Sequence, residues 1–118
     1  ICDASYSTFL LRHFARGGEQ SIPVEQAVHM LSAKAARAVG LNRGVLKVGA
    51  KADCNVIDLD NLELHLPRIV HDLPAGGRRL DQTARGYAAT MVAGELIRRF
   101  DEATGARPGA LIRGAAGS

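Results

Sequence analysis

The sequence predicts an α+β fold, in which a helical block comes first and a set of short strands follows. Apolar residues recur at helical spacing over residues 4–40. Glycine and proline then become frequent, and the apolar runs shorten to the length of strands. Aromatic residues are scarce, with three Phe, two Tyr and no Trp, so that Val, Leu, Ile and Ala must supply the core.

The composition is that of one globular domain. The chain has 118 residues, 47% of them hydrophobic and 23% charged. Its net charge is +3, and the arginines are scattered without the basic stripe and interleaved aromatics of a nucleic-acid binder. No apolar run approaches the ~18 residues of a membrane span. From the scattered arginines and the short apolar runs, we expect no nucleic-acid or membrane partner. Cys2 and Cys54 have no metal-ligand spacing, so we expect a reduced, cytoplasmic setting.

The first predicted helix lies in the segment ASYSTFLLRHFARGG. Its apolar residues at helical spacing are Tyr6, Phe9, Leu10 and Phe14. The glycine pair at 17–18 is expected to end the helix, because glycine is common just after a helix end.

The second predicted helix begins at Ser21, a candidate N-cap, with Pro23 in its first turn. Its apolar stripe consists of Val24, Ala27, Val28 and Leu31. Ser32 is interpreted as a second N-cap that begins a further short helix, which Gly40 ends. The sequence therefore predicts a compact pair of helices before residue 41.

The pattern changes from residue 41 onward. The segment GVLKVGAKAD is predicted to form a hairpin-like stretch around glycine turns at Gly44 and Gly49. CNVIDL follows as a predicted strand, and its dense apolar content indicates burial on both faces or packing between layers. LHLPRIVHDLPAGGRRL is interpreted as a connection, because Pro67 and Pro74 argue against central strands.

The clearest predicted hairpin is YAATMVAGELIRRF, with arms at residues 87–92 and 95–100. Ala93 and Gly94 form its turn, in which Gly94 supplies a positive φ. We interpret Gly44, Gly49, Asp53 and Gly94 together as structural turn residues. Leu111 and Ile112 are candidates for one more strand pairing, and residues 115–118 are predicted to be a frayed tail.

Candidate catalytic residues are few. The histidines are His13, His29, His65 and His71. None has HxH, HxxxH or HExxH spacing, so packing or surface roles are predicted for them. His71 adjoins Asp72, but adjacent residues rarely face each other usefully. No catalytic residue and no metal ligand is therefore assigned in this chain.

One polar cluster, ICDASYST, precedes the first helix and has two interpretations. Asp3 or Ser5 caps the helix, because these residue types favour N-cap positions. Alternatively, Cys2, Asp3, Ser5 and Tyr6 form the rim of an active site whose other residues lie elsewhere. Cys2 as a nucleophile has no base beside it in the sequence.

Residues 21–59 resemble the C-terminal signature of the amidohydrolase superfamily, in which G-x-L-x-x-G-x-x-A-D precedes an apolar strand. The matching residues are Gly44, Leu46, Gly49, Ala52 and Asp53. Two later segments, VHDLPAGGRRLDQTARGYAATMVAGELI and GARPGALIRG, resemble the N-acyl-D-amino-acid deacylase, or D-aminoacylase, branch of that superfamily. The resemblance extends over residues 1–114.

The resemblance implies a metal-bearing (β/α)8 barrel and a small composite β-sandwich built from both chain ends. Residues 1–40 would be the last barrel helices, and residues 41–114 the C-terminal part of the sandwich. The implied reaction is hydrolysis of a non-peptide C–N amide bond, with zinc expected in the full-length parent and no cofactor in this chain. Family ligands and the catalytic Asp precede the part that matches Ile1, so Asp3 is not given that role.

Two hypotheses follow for the chain as a whole. In the first, it is a C-terminal fragment or subunit of such a hydrolase and is inactive alone. Its start at Ile1 instead of Met agrees with that expectation. In the second, it is a stand-alone, non-catalytic scaffold or oligomerisation module. The expected partner is the missing N-terminal barrel part in the first case and a second copy in the other.

Overall fold

A computed structural model describes residues 5–17, 19 and 21–112. The helices are α1 (Tyr6–Phe14), α2 (Val24–His29) and α3 (Ala35–Ala38), and a π-helical segment, Met30–Lys34, joins α2 to α3. The described residues then form these strands: β1 (Cys54–Ile57), β2 (Glu63–Leu64), β3 (Arg68–Leu73), β4 (Gly77–Asp81), β5 (Ala84–Arg85), β6 (Tyr87–Val92), β7 (Glu95–Arg99) and β8 (Glu102–Ala103). This order confirms the α+β class. The predicted tail at 115–118 lies outside the described residues.

The main sheet is antiparallel and has the strand order β1-β6-β7-β8. Its centre is the β6–β7 hairpin, which confirms the hairpin predicted from the sequence. The turn residues Ala93 and Gly94 have φ values of 54° and 83°, as a primed hairpin turn requires. β1 pairs antiparallel with β6 on the side away from β7, with Cys54 opposite Met91.

Two two-stranded antiparallel sheets, β2 with β5 and β3 with β4, lie one after the other along the segment 63–85, which we call the ribbon. The sequence-based interpretation of this segment as a connection is wrong. Pro67 lies just before β3 and Pro74 lies in the turn after it, positions where proline interrupts no ladder. Across the ribbon, Asp81 accepts from Arg68 at 3.2 Å, and Asp72 accepts from Arg79 at 2.6 Å.

Only a small core joins the helices to the strands. Leu11 of α1, Ala27 of α2 and Leu62 pack together, and Leu62 is 0% exposed. Beside them, the buried Thr8 hydroxyl lies 2.6 Å from the hydroxyl of Tyr87, which fixes α1 to the start of β6. A few contacts between residues that are far apart in the sequence therefore position the helices on the sheet.

Two predictions about the helices are wrong. Ser32 lies inside the π-helical segment and its Oγ donates to the carbonyl oxygen of Val28 at 2.5 Å, so it continues a helix instead of capping one. Ser21 is not the N-cap of α2, because Pro23 occupies that position.

The apolar residues of α1 differ in burial, and Leu10 packs half-buried against the core. Phe9 and Phe14 are exposed, whereas Leu11 is buried against α2 and Leu62.

The segment before β1 contains no strand, so the predicted hairpin-like pair at 44–53 is wrong. Gly44 and Gly49 have φ values of 80° and 82°, and they turn the chain instead of joining two strands. β1 itself is present, but Val56 is 51% exposed, so the prediction of burial on both faces is wrong for the described chain. Leu111 and Ile112 lie in no strand.

The chain leaves much of its surface uncovered. Its accessible surface is 8966 Å², whereas a compact monomer of 12.5 kDa exposes about 6,200 Å². Its radius of gyration is 16.1 Å, against about 13.5 Å for a compact domain of this length. Large apolar side chains remain open on every part of the fold, including Phe9, Leu46, Val56, Leu66 and Ile69. None of the described helices combines the length and apolar character that a membrane crossing requires.

Candidate functional site

The candidate rim residues lie at or before the start of α1. Ser5 occupies the N-cap position and is half-buried, and Tyr6, the first helical residue, is 63% exposed. Cys2 and Asp3 lie outside the described residues. The role of the four as an active-site rim therefore stays a prediction.

The histidines are distributed over separate parts of the fold. The ring of His13 stacks on Phe9 with centroids 4.3 Å apart. His65 Nδ1 lies 2.9 Å from the hydroxyl of Thr83, within the ribbon. His29, at the end of α2, and His71, on β3, are exposed. His13, His29 and His71 thus lie on three different elements, α1, α2 and β3.

The described residues do not fit the zinc ion that the resemblance implies for the full-length parent. Within residues 5–17, 19 and 21–112, no group of three or more His, Cys, Asp and Glu side chains could hold a metal ion. A zinc site in a protein needs at least three such donors converging on one point. No step of a reaction can be assigned through a metal bound by these side chains.

Asp53 connects three segments at the end of the main sheet that contains the β6–β7 turn. Its carboxylate forms an ion pair with Arg43 and accepts a hydrogen bond from the backbone N–H of Ala93 at 2.8 Å. The N–H of Gly94 donates to the carbonyl oxygen of Ala52 at 2.8 Å. The turn residue that the sequence singled out therefore joins the loop after α3 to the β6–β7 turn.

These contacts hold the pKa of Asp53 below its ordinary value. The hydrogen bond from Ala93 is the main cause, opposed by partial desolvation and aided by the charges of Arg43 and Lys51. A lowered pKa means that the folded state favours the ionised carboxylate. Its contribution to stability is fully present above the unfolded value of about 4, and it is lost as the pH falls through the folded-state pKa.

We expect the variant Asp53→Asn to be less stable than the parent at pH 7, because the charge that pairs with Arg43 is lost. The difference should shrink as the pH is lowered below about 4, where the parent carboxylate also becomes neutral. Urea midpoints measured across this pH range check the prediction. The matched control is Glu95→Gln, which neutralises an exposed carboxylate on the same hairpin. A difference between Asp53→Asn and parent that stays constant with pH would contradict the assignment.

A second carboxylate, which the sequence analysis missed, closes the other end of the sheet. Asp101 accepts from the backbone N–H of Gly86 at 3.0 Å and from that of Tyr87 at 2.8 Å. Phe100 and Asp101 have φ values of 47° and 67°, so two consecutive non-glycine residues are left-handed. An Asp at a turn position after an apolar strand was the only sequence signal for this contact. Like Asp53, Asp101 holds backbone together.

A cleft of about 360 Å³ lies between the helices and β1. Its apolar lining includes Leu11, Val28, Leu31, Val45, Leu46 and Ile57. Cys54 and Asp53 also line the cleft, and no histidine is among its described lining residues. Activated nucleophiles need a base or a strong cation within hydrogen-bond reach. The Asp53 carboxylate is engaged with Arg43 and the N–H of Ala93, so the described geometry assigns no reaction to the cleft.

Comparison with known proteins identifies a family. A model that describes the amidohydrolase family matches residues 4–98, which is well over half of the chain. No curated protein matches the chain, and no solved structure does. The matched range contains helices α1 to α3, the glycine turns at Gly44 and Gly49, and the strands from β1 through most of β7.

Proposed function

Because the chain belongs to the amidohydrolase family, we propose that it is the non-catalytic supporting part of a hydrolase that acts on C–N bonds. The observation that carries this proposal is the use of its acidic side chains. Asp53 and Asp101 bind backbone N–H groups, and Asp72 and Asp81 pair with arginines of the ribbon. Carboxylates engaged in this way stabilise a fold and are not poised to move protons.

The proposed substrate class is N-acyl-D-amino acids. The resemblance of VHDLPAGGRRLDQTARGYAATMVAGELI and GARPGALIRG to the D-aminoacylase branch supports this class. The residues that bind zinc and transfer protons would then lie in another part of the parent protein or in a partner chain. Ser5 and Tyr6, with Cys2 and Asp3, would contribute at most the rim of that site.

In this proposal, helices α1 to α3 are the last helices of a (β/α)8 barrel, and the described strands are the C-terminal part of a composite β-sandwich. The uncovered surface supports it, because the exposed side chains Phe9, Phe14 and Leu46 are of the types that normally pack inside a domain. A barrel part would cover the outer face of α1, where the aromatic side chains stand. The cytoplasm is the proposed location, in keeping with a chain whose cysteines are not spaced as a disulfide framework.

A stand-alone scaffold is the second candidate function. It is favoured by one specific observation, the open edge of β1 in the main sheet. Such an edge offers backbone hydrogen bonds to another strand. A scaffold and a supporting part of an enzyme differ in whether the chain ever acts together with a metal-bearing partner.

Hydrolysis of N-acetyl-D-amino acids tests the first candidate. The purified chain, with and without added zinc, should release no free amino acid. Co-expression with the polypeptide encoded directly upstream in the same genome should give zinc-dependent release. Turnover by the chain alone that co-purifies with the 118-residue species would contradict the supporting role. So would an upstream polypeptide that contains no HxH pair.

A further inference from the structure

Helix α1 is attached to the strands by three side chains that lie in the helix or just after it. In its first turn, the Thr8 hydroxyl lies 2.6 Å from the hydroxyl of Tyr87. In its middle, Leu11 packs with Leu62. Just beyond its end, the Arg16 guanidinium donates to the carbonyl oxygen of Leu62 at 3.1 Å. The helix is thus fixed along its whole length, and a different partner holds each end.

The contact in the first turn differs from the others because it is a buried polar contact. Thr8 is 6% exposed, and it is the only buried polar residue in the part of the chain that the structure describes. An apolar contact tolerates a small slide or rotation of a helix, whereas a short hydrogen bond between two hydroxyl groups requires a defined distance and direction. The bond between Thr8 and Tyr87 therefore sets the position of the first turn more narrowly than apolar packing would.

Tyr87 is in turn held by the residues that follow β7. Its backbone N–H donates to the Asp101 carboxylate at 2.8 Å, and its carbonyl oxygen accepts from the N–H of Asp101 at 3.1 Å. Phe100 and Asp101 reach this arrangement with φ values of 47° and 67°. Non-glycine residues stay in this strained region only where their surroundings determine the geometry, and such strain is concentrated at functional sites. Asp101, Tyr87 and Thr8 thus form a continuous chain of hydrogen bonds from the sheet to α1.

The first turn of α1 is also where the candidate rim residues lie. Ser5 is the N-cap residue, and Tyr6 is the first residue of the helix. Thr8 follows Ser5 by three positions, and residues three apart are neighbours on a helix surface. Because one helical turn moves as a unit, the bond to Tyr87 fixes the positions of Ser5 and Tyr6 together with that of Thr8.

We propose that Tyr87 is a positioning residue of the hydrolase, which holds the rim residues Ser5 and Tyr6 in place against the substrate through its bond to Thr8. This inference rests on the function proposed above, and it assigns no step of the reaction to Tyr87. Displacement of a substrate-contacting group by roughly 1 Å can lower an enzymatic rate by about 100-fold. One hydrogen bond that touches no substrate can therefore affect the rate.

Amide hydrogen exchange of the purified chain tests the structural part of the proposal. The reporting amides are those of Leu10 and Leu11, because in an α-helix they donate to carbonyl oxygens of the first turn. Tyr87→Phe should speed their exchange by about tenfold, the effect of losing one hydrogen bond. The amides of the β6–β7 hairpin should keep the parent rate, because the opening is local. Equal exchange at Leu10 and Leu11 in Tyr87→Phe and parent would overturn the proposal.

The other tyrosine of the chain supplies the matched control for this measurement. Tyr6 is 63% exposed, whereas Tyr87 is half-buried and bonded to Thr8. Tyr6→Phe removes the same hydroxyl group as Tyr87→Phe, and it should leave the exchange of both reporting amides unchanged. An equal acceleration in the two variants would mean that the bond to Thr8 does not hold the first turn.

Kinetics of the zinc-dependent complex, obtained by co-expression with the upstream polypeptide, test the functional part. At a temperature where circular dichroism shows every variant folded, Tyr87→Phe and Thr8→Val should each lower kcat/KM for an N-acetyl-D-amino acid by about tenfold. The double variant should be no slower than either single variant, because both substitutions remove the same bond. Thr8→Ser keeps the hydroxyl and should retain most of the activity.

Thr104→Val is the control for a role in stability alone. It removes a hydroxyl that donates to the carbonyl oxygen of Leu96 at 2.7 Å, and it should lower the urea midpoint without lowering kcat/KM. An active complex in which Tyr87→Phe lowers only the urea midpoint would overturn the positioning role and leave the proposed function intact. A parent complex that hydrolyses no N-acyl-D-amino acid would overturn both.

Discussion

Replacing Gly44 with alanine should lower the free energy of unfolding by roughly 3 kcal/mol, from backbone strain and steric overlap together. Gly44 has a φ of 80°, a region that other residues enter only at a cost. A Cβ built there would also lie 2.5 Å from the backbone carbon of Ser32 and 2.6 Å from the nitrogen of Ala33. The π-helical segment would have to move away from the loop that leads to β1. Urea unfolding of the Gly44→Ala variant measures this loss.

Gly49 provides the matched control within the same loop. Its φ of 82° is almost the same, but a Cβ there would meet nothing within 4 Å. Gly49→Ala should therefore cost only the left-handed strain, about 1 kcal/mol. Equal urea midpoints for the two variants would show that the loop does not approach the helix as described.

The second large effect is expected for Leu62→Ala. Leu62 is 0% exposed and packs with Leu11 and Ala27 at the junction of helices and strands. Removing a fully buried leucine side chain costs about 2–5 kcal/mol, depending on how far the surroundings collapse. Thermal and urea unfolding should both show the loss. Because the core is small, the helical block and the strands should separate early in the unfolding of this variant.

The same substitution at an exposed leucine gives the control. Leu66 is 89% exposed and precedes β3 without entering a strand. Leu66→Ala should change the free energy of unfolding by no more than about 0.5 kcal/mol. A comparable loss at both leucines would mean that Leu62 is not the centre of the core.

Local patterns predicted the elements that local interactions determine. The β6–β7 hairpin follows from apolar strand residues on either side of a turn that ends in Gly94. The helix at 6–14 likewise follows from its periodicity. Which face of that helix is buried could not be predicted in the same way. The bond between Thr8 and Tyr87 joins residues 79 positions apart, and helical spacing alone contains no information about such partners.

The sequence does not predict the strands of the ribbon, because the two prolines in this segment argue against central strands. Pro67 and Pro74 bound β3 without removing a hydrogen bond from it, and the ion pairs of Arg68 with Asp81 and of Arg79 with Asp72 lie across the ladder. Cross-strand charge pairs of this kind are visible in a sequence only once the register is known.

The candidate site shows the same division between local and distant signals. The sequence predicts Asp53 as a turn residue, and the structure shows its contacts with Arg43 and Ala93. Its partner Ala93 lies 40 residues away, so only the fold could identify it. Asp101 was missed for the same reason, since its two backbone donors lie in the preceding strand region.

Zinc binding by the purified chain tests most directly whether these residues support a reactive centre without forming one. The purified chain is dialysed against zinc, and circular dichroism establishes that it is folded. Native mass spectrometry then measures the number of zinc ions bound per chain. We expect no stoichiometric zinc on the chain. A single tightly held equivalent that is lost when His, Cys, Asp or Glu side chains of this chain are replaced would contradict it.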